Sequence, residues 1–445
     1  MTDVLPAGLE TLIAPYLGQQ RWFAGSGTPD ALQVERSRAL WSGDGLRLWQ
    51  TVVHASGSPY HVLIGERPVS RRADFLHGRD EAVLGSLESS LFYDAVLDSE
   101  LARVLLQAAS EGRETASLAR PISAEQSNTS LVFDDRLILK VFRRLHPGHN
   151  PDVEVTTALA QAGFEHVPAP LVTWRDEPYD LAFGQQFLAG GSEGWALALT
   201  SLRDLYNSSS DQPAEAGGDF GSEARRLGHM TADMHLALAG AFGVRPTADG
   251  APAWNALIDD IVTRLAGATE VARRDLTSAA ELLVGRLRAV DSPGPAIRVH
   301  GDYHLGQVMQ TDTGWYVLDF EGEPARPVTA RTAPVSPLKD VSSMLRSFDY
   351  AARHALTDRS AGELAGLEPR AEAWDTHNRQ AFLQGYREVE GIDTLLPDPR
   401  SAPAVLVAYE LDKALYELDY ERAHRPEWIP LPLGAINRLV YGADS

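Results

Sequence analysis

The chain has no cysteine in 445 residues, which excludes a disulfide framework, a thiolate nucleophile and a Cys-ligated zinc. It has no apolar run near the ~20 residues a bilayer crossing requires, and its start, MTDVLPAGLE, lacks the basic-then-apolar layout of a secretory signal. A cytoplasmic protein with no membrane partner is expected. Basic side chains are the scarcer sign, 40 against 61 acidic, for a formal net charge of −21. A field of that sign repels nucleic acid and anionic lipid, so no nucleic-acid partner is expected. It also repels a nucleoside triphosphate, and any phosphate-handling site must therefore bring its own local cations and a bound metal.

What is present is enough for real cores. Hydrophobic residues make up 44% of the chain, and at about 150 residues per domain the length predicts two or three units. Leu46 to Ala55 alternates apolar and polar residues, Ser56-Gly57-Ser58-Pro59 makes a turn, and YHVLIGERP resumes an extended pattern, predicting a hairpin in a small first domain. Phe92 to Ser110 carries apolar residues at helical spacing and predicts a linker helix. SLVFDDRLILKVFRR (130–144) predicts a second hairpin, turning at Asp134-Asp135, and PDVEVTTALAQAG a helix that starts at Pro151 and ends at Gly163. The polar stretch from Gly190 to Ser222 reads as a surface loop. Beyond Ser222 the periodicity is mostly helical.

The most informative string is AIRVHGDYHLGQVMQTDTGWYVLDFEGEP, Ala296 to Pro324. It predicts a short strand, a loop from His300 to Gln307, and a hairpin whose second strand delivers Asp319 at its end. Asp302, Gln307 and Asp319 thus fall at neighbouring loop and strand ends. Phosphoryl transfer needs such a set: one carboxylate to orient an attacking hydroxyl, and oxygen ligands to hold magnesium against phosphates. The hydroxyl's pKa lies far above neutrality, so the base mainly positions it until late in transfer.

These residues resemble the aminoglycoside-phosphotransferase branch of the protein-kinase-like fold, in which an H-G-D-x-H-x-x-N loop and a following D-F/D-x segment carry catalysis. The Gln307 departure from Asn, together with DFEGEP, resembles the maltokinases. The resemblance implies an α+β, bilobal protein-kinase-like fold with an N-terminal β-rich cap subdomain: cap 1–90, nucleotide-binding lobe and linker 91–200, mostly helical lobe 201–445. It implies Asp302 as catalytic base, with Gln307, Asp319 and Glu321 as magnesium ligands. EQSNTSLVFDDRLILKVFRRL resembles the maltokinase nucleotide segment, placing Ser127, Asn128, Thr129 and Ser130, after Gln126, over the phosphates. Lys140 would reach the α/β-phosphates and pair with Glu154 on the next helix. Gln186 to Leu188 would meet adenine, with ATP between the lobes. QQRWFAGSG, with Trp22 and Phe23, resembles the opening of the maltokinase cap. Asp340 reads as a support for the catalytic loop, and His235 as a satisfied core histidine.

AYELDKALYELDYERAHRPEWIPLPL (Ala408 to Leu433) is polar and aromatic on a helical pattern, with Glu410, Lys413 and Glu417 at i, i+3, i+7. Carboxylates and a cation bind sugar hydroxyls, and aromatic faces cover the ring. A helix presenting Asp412, Lys413, Tyr416 and Glu417 fits that chemistry, as does a solvated face of Glu/Lys pairs. The resemblance favours the sugar pocket, with His304 and Trp428 as further candidates. The implied activity is an ATP- and Mg-dependent kinase making maltose 1-phosphate, feeding α-glucan synthesis and linked in function to a trehalose synthase. A kinase for an aminosugar such as glucosamine is the alternative within the fold. Outside it stand a silent nucleotide-binding regulator and a phosphohydrolase using the same carboxylates.

Overall fold

The computed structural model describes residues 5–25, 27–71, 73–122, 128–272, 277–324, 326–357, 359 and 361–442. By internal contacts the chain divides into two compact units, Met1–Glu154 with Pro168–Ala189, and Val155–Val167 with Gly190–Ser445.

In the first unit, helix α1 (Leu9–Gly18) precedes an antiparallel sheet in the order β1-β2-β3-β5-β4, built from β1 (Leu32–Gly43), β2 (Leu46–Ala55), β3 (Ser58–Pro68), β4 (Val83–Leu87) and β5 (Ser90–Asp94). The predicted hairpin is β2–β3: Ala55 pairs with Ser58 across Ser56 (φ 49°) and Gly57 (φ 75°), the doubly left-handed pair that a two-residue turn requires. The predicted linker helix is corrected at its start. Phe92 to Asp94 belongs to β5, which pairs with β3, and α2 covers only Ser99–Ala109, capped by Asp98 accepting from the Glu100 N–H. Sheet pairing overrides a helical spacing that two aromatic residues happen to continue.

A second sheet has the order β6-β7-β8-β10-β9, from β6 (Ala119–Ile122), β7 (Asn128–Phe133), β8 (Leu137–Phe142), β9 (Pro170–Asp176) and β10 (Tyr179–Gln186), with α3 (Pro151–Gln161) between β8 and β9. The β7–β8 hairpin turns at Asp134 and Asp135 as expected, both left-handed at φ 50° and 49°, which aspartate tolerates. One buried cluster fastens β5 to the chain just beyond β8. The fully buried Arg143 donates to both Asp94 carboxylate oxygens, at 2.9 and 2.7 Å, and Tyr16 donates to the same carboxylate at 2.7 Å.

The second unit is mostly helical: α4 (Gly194–Asn207), α5 (Gly221–Phe242), α6 (Thr247–Ala272), α7 (Thr277–Arg288), α8 (Val328–Arg331), α9 (Leu338–His354), α10 (Ala361–Arg387), α11 (Ala402–His424) and α12 (Pro430–Gly442). A small sheet of β11 (Ser192–Glu193), β12 (Val308–Thr311) and β13 (Gly314–Val317) completes it. The loop expected over Gly190 to Ser222 is corrected, because α4 fills its first half. Ala198, Ser201, Leu202, Leu205 and Tyr206 are buried along one face of that helix, a stripe that the stretch's overall polarity conceals. Among the described residues, no helix is long and apolar enough to cross a membrane.

Helices α5 and α10 approach at two glycines. A Cβ on Gly228 would overlap the Phe382 carbonyl, and one on Gly385 would overlap that of Arg225. Gly228→Ala is expected to cost ~1–3 kcal/mol in urea denaturation, the usual range for overpacking. Gly240→Ala, on the exposed side of α5 with open space around it, is expected to leave stability unchanged or raise it by less than ~1 kcal/mol.

Candidate active site

The segment from His300 to Asp319 is held both by hydrogen bonds within it and by partners from other elements. Asp340, fully buried at the start of α9, accepts from the His300 N–H (2.8 Å) and the Gly301 N–H (2.9 Å), and His235 Nε2 lies 3.2 Å from the same carboxylate. His235 is completed by the Tyr386 hydroxyl at 2.8 Å, and Gly301 turns the chain at φ 85°. The His300 ring bridges the two carboxylate-bearing segments: Nδ1 accepts from the Asp302 N–H (3.3 Å) and Nε2 donates to the Leu318 carbonyl (2.8 Å). Those partners place a ring proton on Nε2 and leave Nδ1 as the acceptor. The Leu318 N–H in turn donates to the Gln307 carbonyl at 2.9 Å, and Asp319 follows in a left-handed conformation, φ 60°. Asp302, Gln307 and Asp319 are therefore carried on backbone segments tied directly to one another.

The charge next to Asp302 comes from α11. Lys413 Nζ donates to Asp302 Oδ1 at 2.8 Å and to Glu323 Oε1 at 3.4 Å, and lies 4.9 Å from the centre of the Tyr416 ring. Burial alone would raise the Asp302 pKa, but the Lys413 ammonium, helped by His304 and His300, holds it well below the ordinary 3.8. Burial would likewise lower Lys413, and Asp302 with Glu323 carries it well above 10.5. Burial brings His304 down to about 4. Its Nε2 stands 4.0 Å from Asp302 Oδ2, outside hydrogen-bond range. Asp302 thus keeps one oxygen on an ammonium and turns the other towards the histidine. An ionised carboxylate in that state can orient a hydroxyl.

The remaining charges of α11 correct the sequence reading in both its forms. The helix is neither a solvated face nor a row of open sugar ligands, since Glu410, Asp412, Lys413 and Glu421 are all buried. Asp412 is held by Arg264 and, at 3.2 Å, by Arg326. Glu417 is held by Arg346 at 2.5 Å, and Glu410 by Arg379 at 2.7 Å. Buried carboxylates must be neutralised, and an arginine within the fold does so for each of these. Arg425 lies over the Trp428 ring at 4.1 Å, and the His354 ring meets it at 4.5 Å with the planes tilted by 43°. Of the sugar candidates, Lys413, Tyr416 and His304 gather around Asp302, while Asp412, Glu417 and Trp428 are each engaged by an arginine.

The nucleotide candidates need two changes. Lys140 Nζ pairs at 2.9 Å with Asp152, a carboxylate the sequence reading does not name, and both partners are buried. Asn150 Oδ1 caps the Asp152 N–H, so Asp152 occupies the first turn of α3, where the helix dipole favours an anion. Thr129 leaves the phosphate-facing set because its hydroxyl accepts from Arg143 Nε at 2.9 Å. Strand alternation explains this: Ser130 pairs with Lys140 in register and Asn128 with Phe142, so these share one face and Thr129 takes the other. Gln186 ends β10, its N–H bonded to the Ala169 carbonyl, with Leu188 two residues on. Gln126 and Ser127 lie outside the described residues.

Glu321 contributes its carbonyl to Arg331 Nη1 at 2.9 Å. Two residues later, Glu323 is the group that sequence reasoning passes over. It is buried, and it bonds Arg326 at 2.5 Å as well as Lys413. Its position inside the DFEGEP string is the available signal, but its partner lies 90 residues away.

Residues 119–374 match the phosphotransferase enzyme family, and residues 16–98 match the maltokinase N-terminal cap domain. A glucosamine kinase of Mycolicibacterium smegmatis is 30% identical over 342 residues, covering 74% of this chain and 81% of that protein. One from Streptacidiphilus jiangxiensis is 29% identical over 333 residues, 70% and 71% of the two chains. The solved structure of a glucosamine kinase in complex with glucosamine, ADP and inorganic phosphate superposes with a TM-score of 0.68 at 24% identity, covering 99% of this chain and 100% of the other. The chain belongs to the phosphotransferase enzyme family, has its kinase-like fold, and is an ATP-dependent phosphotransferase acting on a hydroxyl group.

Proposed function

We propose that the protein is a sugar kinase that transfers the γ-phosphoryl group of ATP to the anomeric hydroxyl of maltose. What supports the chemistry is Asp302: its backbone is fixed through His300 and Asp340, and its carboxylate is kept ionised by Lys413. The oxygen nearer His304 receives the acceptor hydroxyl, aligns it for attack and takes its proton as transfer completes. Lys140, held straight by Asp152, supplies the cation for the α/β-phosphates, with Asn128 and Ser130 on the same strand face. Gln186 to Leu188 provides the edge for the base.

Magnesium fits the donors present. Gln307 and Asp319 offer an amide and a carboxylate oxygen on tied segments, and the described residues hold no group of three or more His, Asp or Glu that would cage an ion alone. Magnesium takes one or two protein oxygens together with phosphate oxygens. When bound, it neutralises the charge on the transferring phosphates.

The match to the maltokinase cap favours maltose as acceptor. Glucosamine is the second reading, favoured by the names of both curated relatives. The test is ATP consumption with maltose, glucose, glucosamine, an aminoglycoside or no acceptor. Turnover that depends on maltose is expected; ATP loss without any sugar would replace the kinase with a hydrolase.

A further inference from the structure

The surroundings of Lys413 Nζ are those of a bound ammonium ion. An ammonium has three N–H donors and no acceptor; here it meets Asp302 Oδ1 at 2.8 Å, Glu323 Oε1 at 3.4 Å and the Tyr416 ring at 4.9 Å. Two carboxylates and an aromatic face make a complete ammonium receptor. The side chain is only 9% exposed, so the receptor is closed by the protein's own cation.

We infer that Lys413 fills an ammonium-binding site from within, and that this makes the enzyme select neutral, hydroxyl-only sugars over aminosugars. The inference rests on the sugar-kinase reading above and sharpens its acceptor class. An aminosugar brought to Asp302 needs a carboxylate for its own ammonium. The neighbouring carboxylates are already engaged: Glu323 also serves Arg326 at 2.5 Å and lies 3.7 Å from Lys339, and Asp412 serves Arg264 and Arg326. A second ammonium there would face Lys413, Arg326 and Lys339 with no free countercharge among these groups, and like charges at such range repel strongly where water is scarce. A neutral sugar meets no such penalty and can accept a hydrogen bond from Lys413.

The test uses Lys413→Ala, Lys413→Gln and the unmodified enzyme. The unmodified protein is expected to favour maltose or glucose over glucosamine in kcat/KM. In both variants the glucosamine-to-glucose ratio should rise by about tenfold or more, as loss of a charged partner at a substrate site predicts. Methylammonium chloride provides a readout independent of sugars. It should raise the Tm of Lys413→Ala by about 3 °C or more beyond the same concentration of sodium chloride, and leave the unmodified protein unmoved. The inference is overturned if the unmodified enzyme prefers glucosamine, or if neither the ratio nor the Tm responds. If no sugar is phosphorylated but methylammonium still stabilises Lys413→Ala alone, the sugar-kinase reading falls while the internally filled site stands.

Discussion

Asp302→Asn is expected to lower kcat by at least ~10²-fold, the scale of a lost general base, while nucleotide affinity stays near normal. Asparagine keeps the volume and one hydrogen-bond acceptor, so the loop anchored by His300 and Asp340 has no reason to move. What disappears is the charge that, in the proposed role, aligns the hydroxyl and takes its proton. Because that interaction matters chiefly in the transition state, kcat and kcat/KM should fall together. Steady-state kinetics beside equilibrium binding of ADP measures both, and a variant with near-normal kcat would remove Asp302 from its proposed role.

The same pair fixes a pH prediction. The folded pKa of Asp302 is depressed below 3.8, so its ion pair is complete above that value and is lost only as pH falls through the still lower folded value. Lys413 is raised above 10.5, so its share is complete below that value and is lost as pH rises through the folded one. His304, at about 4, is neutral above roughly pH 5. The pair and its neighbour therefore contribute no change in kcat between roughly pH 5 and 9. An acid limb near pH 6 that vanishes in Asp302→Asn would contradict this.

Asp340→Asn should be the most damaging change made away from the acceptor. Both Asp340 oxygens accept from backbone N–H groups, and His235 adds a third contact. Burial would raise the Asp340 pKa, yet His235, His300 and the Gly301 N–H bring it below the ordinary value, so the group contributes as an anion. Asparagine supplies one acceptor and turns an NH₂ against another N–H in a dry core. We expect a loss of ~2–4 kcal/mol, from one broken charge-assisted bond and one unsatisfied donor. We also expect a fall in kcat of about tenfold or more at temperatures where the variant is still folded, since misplacing Asp302 by an ångström has that consequence. Urea denaturation and kcat on the same sample separate the two effects. Full kcat in a destabilised but folded variant would reduce Asp340 to a purely structural part.

The parts of the site that can be read from sequence are those whose chemistry is local. His300 to Asp319 lies in one string, and hydrogen bonds within it tie its two carboxylate-bearing ends together. The β2–β3 and β7–β8 hairpins carry their turn residues with them. Tertiary pairing hides the rest. Sequence spacing does not single out Asp152 as a carboxylate for Lys140, because Asp152 and Glu154 both sit in the first turn of α3 and the pairing is set by the fold. Thr129 escapes a reading by proximity because strand alternation sets its face. The largest gap is α11. A helix rich in Glu and Asp looks solvated until Arg264, Arg326, Arg346 and Arg379, from three other helices and the turn before α8, are seen to neutralise it.

That Asp302 delivers a sugar hydroxyl to ATP is tested most directly by the product itself. With maltose and ATP, phosphorus–proton correlation NMR should show a new phosphate ester coupled to the anomeric proton, formed by the unmodified enzyme and suppressed in Asp302→Asn. Release of inorganic phosphate without a sugar ester, or an ester formed equally well by the variant, would contradict that role.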